Sequence, residues 1–341
     1  MIDPGFPWGS NNPTRPQRVI VAACIATVAV LILAREYARD PAFHSDFGLA
    51  WFGASALLHG SDPYLGPGAA FNWGRPFLYP GTALVAAIPF AALSEKAASM
   101  TFLWISAFLL GYGVTTGSWH RLPMFVTEAF ASSARLAQWS MLLTAAVFIP
   151  WLALFTAVKP QAGLPVLAGS SSRLAIRAAV IGGIVLVIVS LILLPSWPGE
   201  WWTAMRAAER FTPHIMRLGG PLVLLVLLRW RRWEAWLVLT LACMPQTWGW
   251  YNVLMLLTIP ATYREAVVLA LVSAGGAILT GFIVDPNTAE SFEKGIGAVQ
   301  VATAFLPATL VVLRRPNDGA TPVWLERIIR RVRPSAARIT G

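Results

Sequence analysis

A lone carboxylate follows the first hydrophobic stretch, in the run Phe43-His44-Ser45-Asp46-Phe47. Asp46 has apolar neighbours and lies where a membrane segment meets a loop rich in Trp and Gly. An ionisable side chain in such a setting is costly and indicates a functional position by default. Beside aromatic rings at a membrane surface, this carboxylate has the chemistry of a general base. The structural alternative, compatible with that role, is that Ser45 or Asp46 caps a helix predicted over 47–58, which contributes about 1 kcal/mol.

A cation and a group of aromatic residues follow further along the chain. Lys159 lies in a region broken by prolines. Burying a cation in a membrane segment costs about 2.5–3.5 kcal/mol on insertion scales, so Lys159 either reaches the interface from a helix end or pairs with a phosphate. The segment 71–80 brings aromatics and Arg75 to the start of a predicted span. It suits either sugar stacking and phosphate pairing or an ordinary interfacial aromatic belt.

The composition is that of an integral membrane protein. Of the 341 residues, 56% are hydrophobic and only 12% are charged, against about 25% charged in soluble domains. The net charge of +10 comes from arginines near the chain ends and in short loops. This positive-inside pattern favours anionic membrane lipid and argues against nucleic-acid binding. Cys24 and Cys243 lie in apolar runs, and the four histidines form no metal-binding pattern, so we expect no disulfide, metal site or cofactor.

The apolar stretches predict an all-α, polytopic protein with about 10–12 transmembrane helices and additional interfacial amphipathic helices. Long spans are predicted at 19–34, 77–93, 97–116, 174–194, 267–284 and 295–313, and shorter ones at 215–228, 236–245 and 253–261. The region 122–169 is interrupted by prolines and crosses once or three times. The segment 195–214 has the pattern of an interfacial helix.

These spans divide the chain into three parts. Residues 1–18 are predicted to be a disordered cytoplasmic tail rather than a cleaved signal peptide. Residues 19–313 form the transmembrane domain, in which the extracytoplasmic loop 35–76 carries Asp46, and residues 314–341 form a basic cytoplasmic tail. Within that tail, 323–332 is either a basic helix on the inner leaflet or a frayed segment. We expect a multi-pass protein of the inner (plasma) membrane with both termini in the cytoplasm.

Several short elements, in order over 35–261, resemble glycosyltransferase family 87 of the GT-C superfamily. The first are Asp46 soon after a span, the run Leu57-Leu58-His59-Gly60-Ser61-Asp62-Pro63-Tyr64, and Tyr79-Pro80. The later ones are Ala137-Gln138-Trp139-Ser140, Lys159-Pro160-Gln161 and Pro245-Gln246-Thr247-Trp248-Gly249-Trp250. The chain departs from the family in having Ala137 for a glycine, Thr247 for a serine and Trp250 for a histidine.

The resemblance implies a GT-C-like fold and the inverting, metal-independent transfer of a mannose- or arabinofuranose-like sugar. The sugar would pass from a polyprenyl-phosphate donor to a lipid or glycan acceptor outside the membrane. Asp46 would be the catalytic base, and Lys159 or Arg75 would stabilise the leaving phosphate. Because an indole cannot shuttle a proton, Trp250 would leave Asp46 as the only base.

The substrate-binding residues expected on this basis are His44, Tyr64, Arg75, Tyr79, Gln138, Lys159, Gln161, Trp248, Trp250, Tyr251 and Asn252. Two other functions are compatible with the sequence. A transporter or flippase of lipid-linked sugars would also contain broken helices and few polar residues. A non-catalytic membrane scaffold would use the basic C-terminus to bind a partner.

Overall fold

The computed structural model describes residues 12–64, 77–208, 211–245, 249–283 and 289–332. Within these ranges the secondary structure is helical, without β-strands, as predicted. The α-helices are α1 (Arg15–Arg39), α2 (Asp46–Leu58), α3 (Gly81–Ala87), α4 (Glu95–Val114), α5 (Glu128–Arg135), α6 (Trp139–Ala145), α7 (Pro160–Gly169), α8 (Arg173–Leu193), α9 (Trp197–Ala207), α10 (Trp233–Cys243), α11 (Tyr263–Ile283), α12 (Ala289–Gln300), α13 (Leu306–Leu313) and α14 (Val323–Val332). Shorter helices of 3-10 type are Ile88–Phe90, Leu122–Val126, Pro150–Val158, His214–Met216, Gly220–Arg229 and Trp250–Thr258, and Val301–Phe305 is a π-helical turn.

Five of the described helical stretches are long and apolar enough to cross a membrane, as expected of a membrane protein. They are Arg15–Arg39, Glu95–Val114, Arg173–Leu193, Tyr263–Phe282 and Gly295–Leu313. Their lengths are close to or above the 20 residues or so that span about 30 Å of hydrocarbon. They match the long spans predicted from the sequence, except the one at 77–93. Residues 1–11 of the predicted tail 1–18 lie outside the described residues, and α1 begins at Arg15, within the predicted tail.

Helices α1 and α4 lie antiparallel and define two ends of the bundle. At one end Arg18 donates from Nη2 to the carbonyl of Tyr112 at 2.7 Å. At the other end the hydroxyl of Tyr37 donates to Oε1 of Glu95 at 3.4 Å. We call the first the arginine end, and we call the second, where α2 begins, the Asp46 end.

Buried polar contacts hold the arginine end together. Arg315 donates from Nη1 to Glu234 at 2.8 Å and from Nη2 to Glu265 at 2.7 Å, which ties the end of α13 to α10 and α11. The indole of Trp324 in α14 donates to the carbonyl of Ala168 at 2.9 Å. The helix predicted over 323–332 is therefore present and packed on the bundle, and the alternative of a frayed segment is wrong.

The stretch 77–93 was predicted to cross the membrane, and this prediction is wrong. It contains α3, which has seven residues and is about 10 Å long, followed by a 3-10 turn. Leu84 of α3 fills the space beside Gly53 of α2, and the indole of Trp51 donates to the carbonyl of Phe90 at 3.2 Å. Phe77 also lies against Gly53, so both ends of the stretch stay beside α2, and Ala83, Leu84 and Ala87 of α3 are buried in protein.

The region 122–169 contains two short hairpins with buried tips. The first consists of α5 and α6, and the second of a 3-10 helix and α7. The base of the first lies toward the arginine end, where Phe148 packs against Gly113 of α4, and the tips are at Gln138 and Lys159. The longest of these helices has ten residues, or about 15 Å, which is about half the hydrocarbon thickness. Such broken helices are tolerated where their ends are buried in protein.

Helix α9 covers the outer surface of α3. Trp197 is buried against Gly81, and the indole of Trp201 donates to the carbonyl of Leu78 at 2.9 Å. The opposite side of α9 is exposed at Trp202. The helix predicted within 195–214 therefore exists, with one apolar side against the protein and the other available to an interface.

We predict that residues 61 and 92, which flank α3, lie on the same side of the membrane. In a variant whose two cysteines are replaced by serine, Ser61→Cys and Ala92→Cys should react with a membrane-impermeant maleimide from one side. Thr116→Cys should react from the other side, because α4 separates it from Ala92. All three positions are exposed. Labelling of positions 61 and 92 from opposite sides would contradict the fold.

Candidate functional site

Asp46 is the first residue of α2, and its backbone is fixed from two directions. The hydroxyl of Ser45 accepts a hydrogen bond from the N–H of Gly48 at 2.9 Å and bonds the hydroxyl of Ser99 in α4 at 2.7 Å. The N–H of Asp46, which has no partner within its own helix, donates to the carbonyl of Leu136 at 2.9 Å. Ser45 is therefore the cap. The half-buried Asp46 side chain lies at a helix N-terminus, where the dipole favours a carboxylate.

Lys159 is brought to Asp46 by the tip of the second hairpin. It is 8% exposed, its Nζ donates to Oε1 of Gln138 at 2.7 Å, and its ammonium lies 4.9 Å from the ring centre of Tyr251. Burial lowers the pKa of Lys159, and the Asp46 carboxylate acts in the opposite direction by favouring the charged ammonium. A buried ammonium loses its hydration, and these three neighbours supply the negative charge, hydrogen bond and ring face that offset the loss.

The amide of Gln138 has a donor group left over. Lysine can only donate, so Oε1 of Gln138 faces Lys159 and Nε2 points elsewhere. The side chain is fully buried, and Nε2 has no hydrogen-bond partner in the described part of the chain. A buried donor left without a partner costs about 1–3 kcal/mol. Lys159 and Gln138 together therefore present adjacent donors that suit an anionic oxygen.

The backbone at Ala137 directs the first hairpin toward the site. Its φ of 46° is the only positive value at a non-glycine residue in the described ranges. Its N–H donates to the carbonyl of Ala134 at 3.1 Å, and the N–H of Gln138 donates to the carbonyl of Ser133 at 2.9 Å. These are the two hydrogen bonds of a Schellman motif that ends α5. Ala137, which stands where the resembled family has glycine, thus has a conformation that glycine would adopt without strain.

Tyr79 lies beside Asp46 at the start of α3. Burial first, and then the nearby Asp46 carboxylate, raise the pKa of Tyr79 well above its ordinary value, so its hydroxyl stays protonated. The hydroxyl of Tyr64 donates to the backbone carbonyl of Tyr79 at 2.6 Å. Tyr64 is therefore linked to the site through the backbone of Tyr79, whose own hydroxyl is a neutral group next to the carboxylate.

Three of the remaining expected site residues lie in described helices, and two do not. Trp250 is buried, and its indole donates to Oγ1 of Thr280 in α11 at 3.3 Å, so its donor is directed toward the protein. Asn252 is half-buried in the 3-10 helix that carries Tyr251. Gln161 is half-buried in the first turn of α7. Arg75 and Trp248 lie outside the described residues.

Glu95 is a residue beside the site that sequence reasoning missed. Its Oε2 lies 2.7 Å from Nδ1 of His44, two residues before Asp46. Because the sequence assigned a span to 77–93, Glu95 was placed in a turn at the opposite end of the bundle. The available signal was a carboxylate directly after Ser94, the residue that caps α4.

His214 is a second missed residue and supports the segment that precedes Trp250. It is buried, its Nε2 bonds Oε1 of Gln300 at 2.7 Å, and Nε2 of Gln300 donates to the carbonyl of Gly249 at 3.3 Å. Burial lowers the pKa of His214 to about 4, so the imidazole is neutral at about pH 7. The π-helical turn directly after Gln300 is a feature that is frequent at functional sites.

Comparison with known proteins gives no relative for this arrangement. No protein-family model matches the chain, and no curated protein or solved structure shows significant similarity to it. The function of the site is therefore inferred from its geometry and from the sequence elements described above.

Replacing Ala137 by glycine should stabilise the protein. The left-handed conformation costs a residue with a Cβ about 1–2 kcal/mol, so we expect Ala137→Gly to raise the melting temperature of the detergent-purified protein. As a control, Ala134→Gly in α5 should lower it, because glycine inside a helix costs about 0.5–1 kcal/mol. A lower melting temperature for Ala137→Gly would contradict the backbone geometry at the hairpin tip.

Proposed function

We propose that the protein is a membrane glycosyltransferase of the GT-C type. It would transfer a mannose- or arabinofuranose-like sugar from a polyprenyl-phosphate donor to a hydroxyl group of a lipid or glycan acceptor. The observation that carries the proposal is the half-buried Asp46 carboxylate next to the buried Lys159 ammonium. A carboxylate can deprotonate the acceptor, and a fixed cation can stabilise a leaving phosphate. The ordered resemblance to glycosyltransferase family 87 supports the choice of donor.

The reaction uses Asp46 as the base. Its carboxylate takes the proton of the acceptor hydroxyl while the hydroxyl oxygen bonds to the anomeric carbon. The bond between that carbon and the phosphate oxygen breaks, and polyprenyl phosphate leaves with the electron pair. Attack from the face opposite the phosphate inverts the anomeric configuration. Asp46 then returns its proton to water.

Lys159 and Gln138 are proposed to bind the donor phosphate. Negative charge builds up on the phosphate as the glycosidic bond breaks, so donors aimed at its oxygens bind the transition state more tightly than the ground state. Both side chains are buried, and hydrogen bonds to charge are stronger where water is excluded. The ring of Tyr251 beside Lys159 offers a surface against which the sugar can stack.

The proposed orientation places the Asp46 end outside the cytoplasm. The arginine end would then face the cytoplasm of a multi-pass inner (plasma) membrane protein, as the positive-inside pattern favours. Helix α14, which contains Arg327 and packs at the arginine end, would lie against anionic lipid. The hairpin tips would admit a donor whose long polyprenyl chain remains in the bilayer.

A transporter of lipid-linked sugars is the second candidate. The observation that favours it is the meeting of short, broken helices at a buried charge, an arrangement also found where transporters bind substrate. Such a protein would move the labelled lipid between leaflets without forming a new glycosidic bond. The assay below therefore separates the two functions.

Purified protein in vesicles, supplied with radiolabelled polyprenyl-phosphate sugars and membrane lipid acceptors, should form a labelled product. Asp46→Asn should reduce the rate at least about 100-fold, the scale of general-base catalysis, because the amide cannot take the proton. The matched control is Asp40→Asn, an exposed position where the side-chain oxygen accepts the N–H of Ala42. This variant should retain full activity.

Two results would contradict the proposal. Transfer by Asp46→Asn at the wild-type rate would exclude Asp46 as the base. Movement of labelled lipid between leaflets by the wild type, without a new glycosidic bond, would support the transporter instead.

A further inference from the structure

His44 and Glu95 form a pair on the α4 side of Asp46, whereas Lys159 reaches Asp46 from the hairpin tips. Nδ1 of His44 and Oε2 of Glu95 are 2.7 Å apart, with the His44 side chain 33% exposed and the Glu95 side chain 14% exposed. The imidazole is thus more accessible from outside the bundle than the carboxylate that holds it. Lys159, by contrast, is almost fully buried.

The position of Glu95 is fixed by three helices. It starts α4, its Oε1 accepts a hydrogen bond from the hydroxyl of Tyr37 in α1, and its carboxylate packs directly on Gly48 in the first turn of α2. A Cβ at Gly48 would collide with Oε1 of Glu95. Lys96 lies over the ring of Tyr37 at 5.3 Å. Glu95 is therefore held by contacts other than the one it makes with His44.

The contact determines the chemistry of the imidazole. An ionised carboxylate can only accept hydrogen bonds, so the proton of a neutral His44 must be on Nδ1, and Nε2 is then an acceptor. A hydrogen bond at one ring nitrogen of a histidine generally determines whether the other ring nitrogen carries a proton. Nε2 of His44 is accordingly suited to a hydroxyl donor.

The charges around Asp46 indicate which substrate this nitrogen contacts. The carboxylates of Asp46 and Glu95 both lie at the first turn of α2. Like charges repel, so this side disfavours a phosphate and accepts a neutral molecule that carries hydroxyl groups. The phosphate-binding donors of Lys159 and Gln138 lie on the hairpin side. The two substrates of the proposed reaction thus have separate approaches to Asp46.

We propose that Glu95 is a positioning residue that keeps Nδ1 of His44 protonated, so that Nε2 of His44 accepts a hydrogen bond from a hydroxyl of the sugar acceptor. The proposal rests on the transferase function for its substrate. The role of Glu95 toward His44 does not depend on that function. His44 contributes to acceptor recognition, and Asp46 to proton removal.

Two substitutions at His44 test the hydroxyl contact. The amide nitrogen of His44→Asn occupies the place of Nδ1 and keeps the contact with Glu95, but nothing replaces Nε2. We expect this variant to raise the KM for the acceptor about tenfold, with the donor KM and kcat changed less than about threefold, because one hydrogen bond to the acceptor is lost. His44→Gln, which places a polar group near the position of Nε2, should restore part of the acceptor KM. An unchanged acceptor KM in an active His44→Asn variant would overturn the proposal.

Glu95→Gln tests the positioning role with a readout that needs no activity. In ¹⁵N spectra of histidine-labelled protein, His44 of the wild type should show the Nδ1–H tautomer, and Glu95→Gln should add the Nε2–H tautomer and raise the acceptor KM. The control is Glu36→Gln, the same change near the end of α1, which should alter neither. An Nε2–H tautomer in the wild type, or an unchanged tautomer in Glu95→Gln, would overturn the role of Glu95. Absence of transfer by the wild type would instead overturn the proposed function, and the hydroxyl contact with it.

Discussion

A buried ammonium group beside a half-buried carboxylate is the constraint on which the rest of the site depends. Lys159 has exchanged its hydration for the charge of Asp46, the amide oxygen of Gln138 and the ring of Tyr251. A buried charge that loses its compensating neighbours destabilises the fold, because its hydration is not replaced. Lys159 and each of these three neighbours must therefore be held in position by the helix that carries it. Here the four residues come from four different helices or helix ends.

The short helices and their terminal motifs provide that rigidity. The Ser45 cap begins α2 at the required position, the Schellman motif at Ala137 ends α5, and the carbonyl of Leu136 joins the two through the N–H of Asp46. Helices that stop halfway through a membrane leave polar backbone groups that need partners. At this site those groups bind one another and thereby set the positions of the charged side chains. Asp46 consequently has a buried cation on its hairpin side and the more exposed His44 on its α4 side.

Much of the fold follows from the length of apolar runs, which predicted the all-α class and six long spans, five of which correspond to long helices in the described residues. Local rules also identified Ser45 as a possible cap of the helix predicted over 47–58, which ends at Leu58. Composition could not show that 77–93 is buried by protein rather than lipid, because both environments select apolar residues. That one error moved Glu95 to the wrong end of the bundle. The left-handed Ala137 was equally hidden, because alanine rarely adopts this conformation and its residue type gives no sign of the Schellman motif that ends α5.

A cryo-electron microscopy structure of the protein in a lipid nanodisc with polyprenyl phosphate is the most direct test of the central claim. We expect the phosphate at the hairpin tips, with its oxygens within hydrogen-bond distance of Nζ of Lys159 and Nε2 of Gln138. Asp46 should lie on the side of the phosphate where the sugar would be attached. A phosphate bound elsewhere, with the contact between Lys159 and Gln138 unchanged and no ligand beside it, would contradict the account.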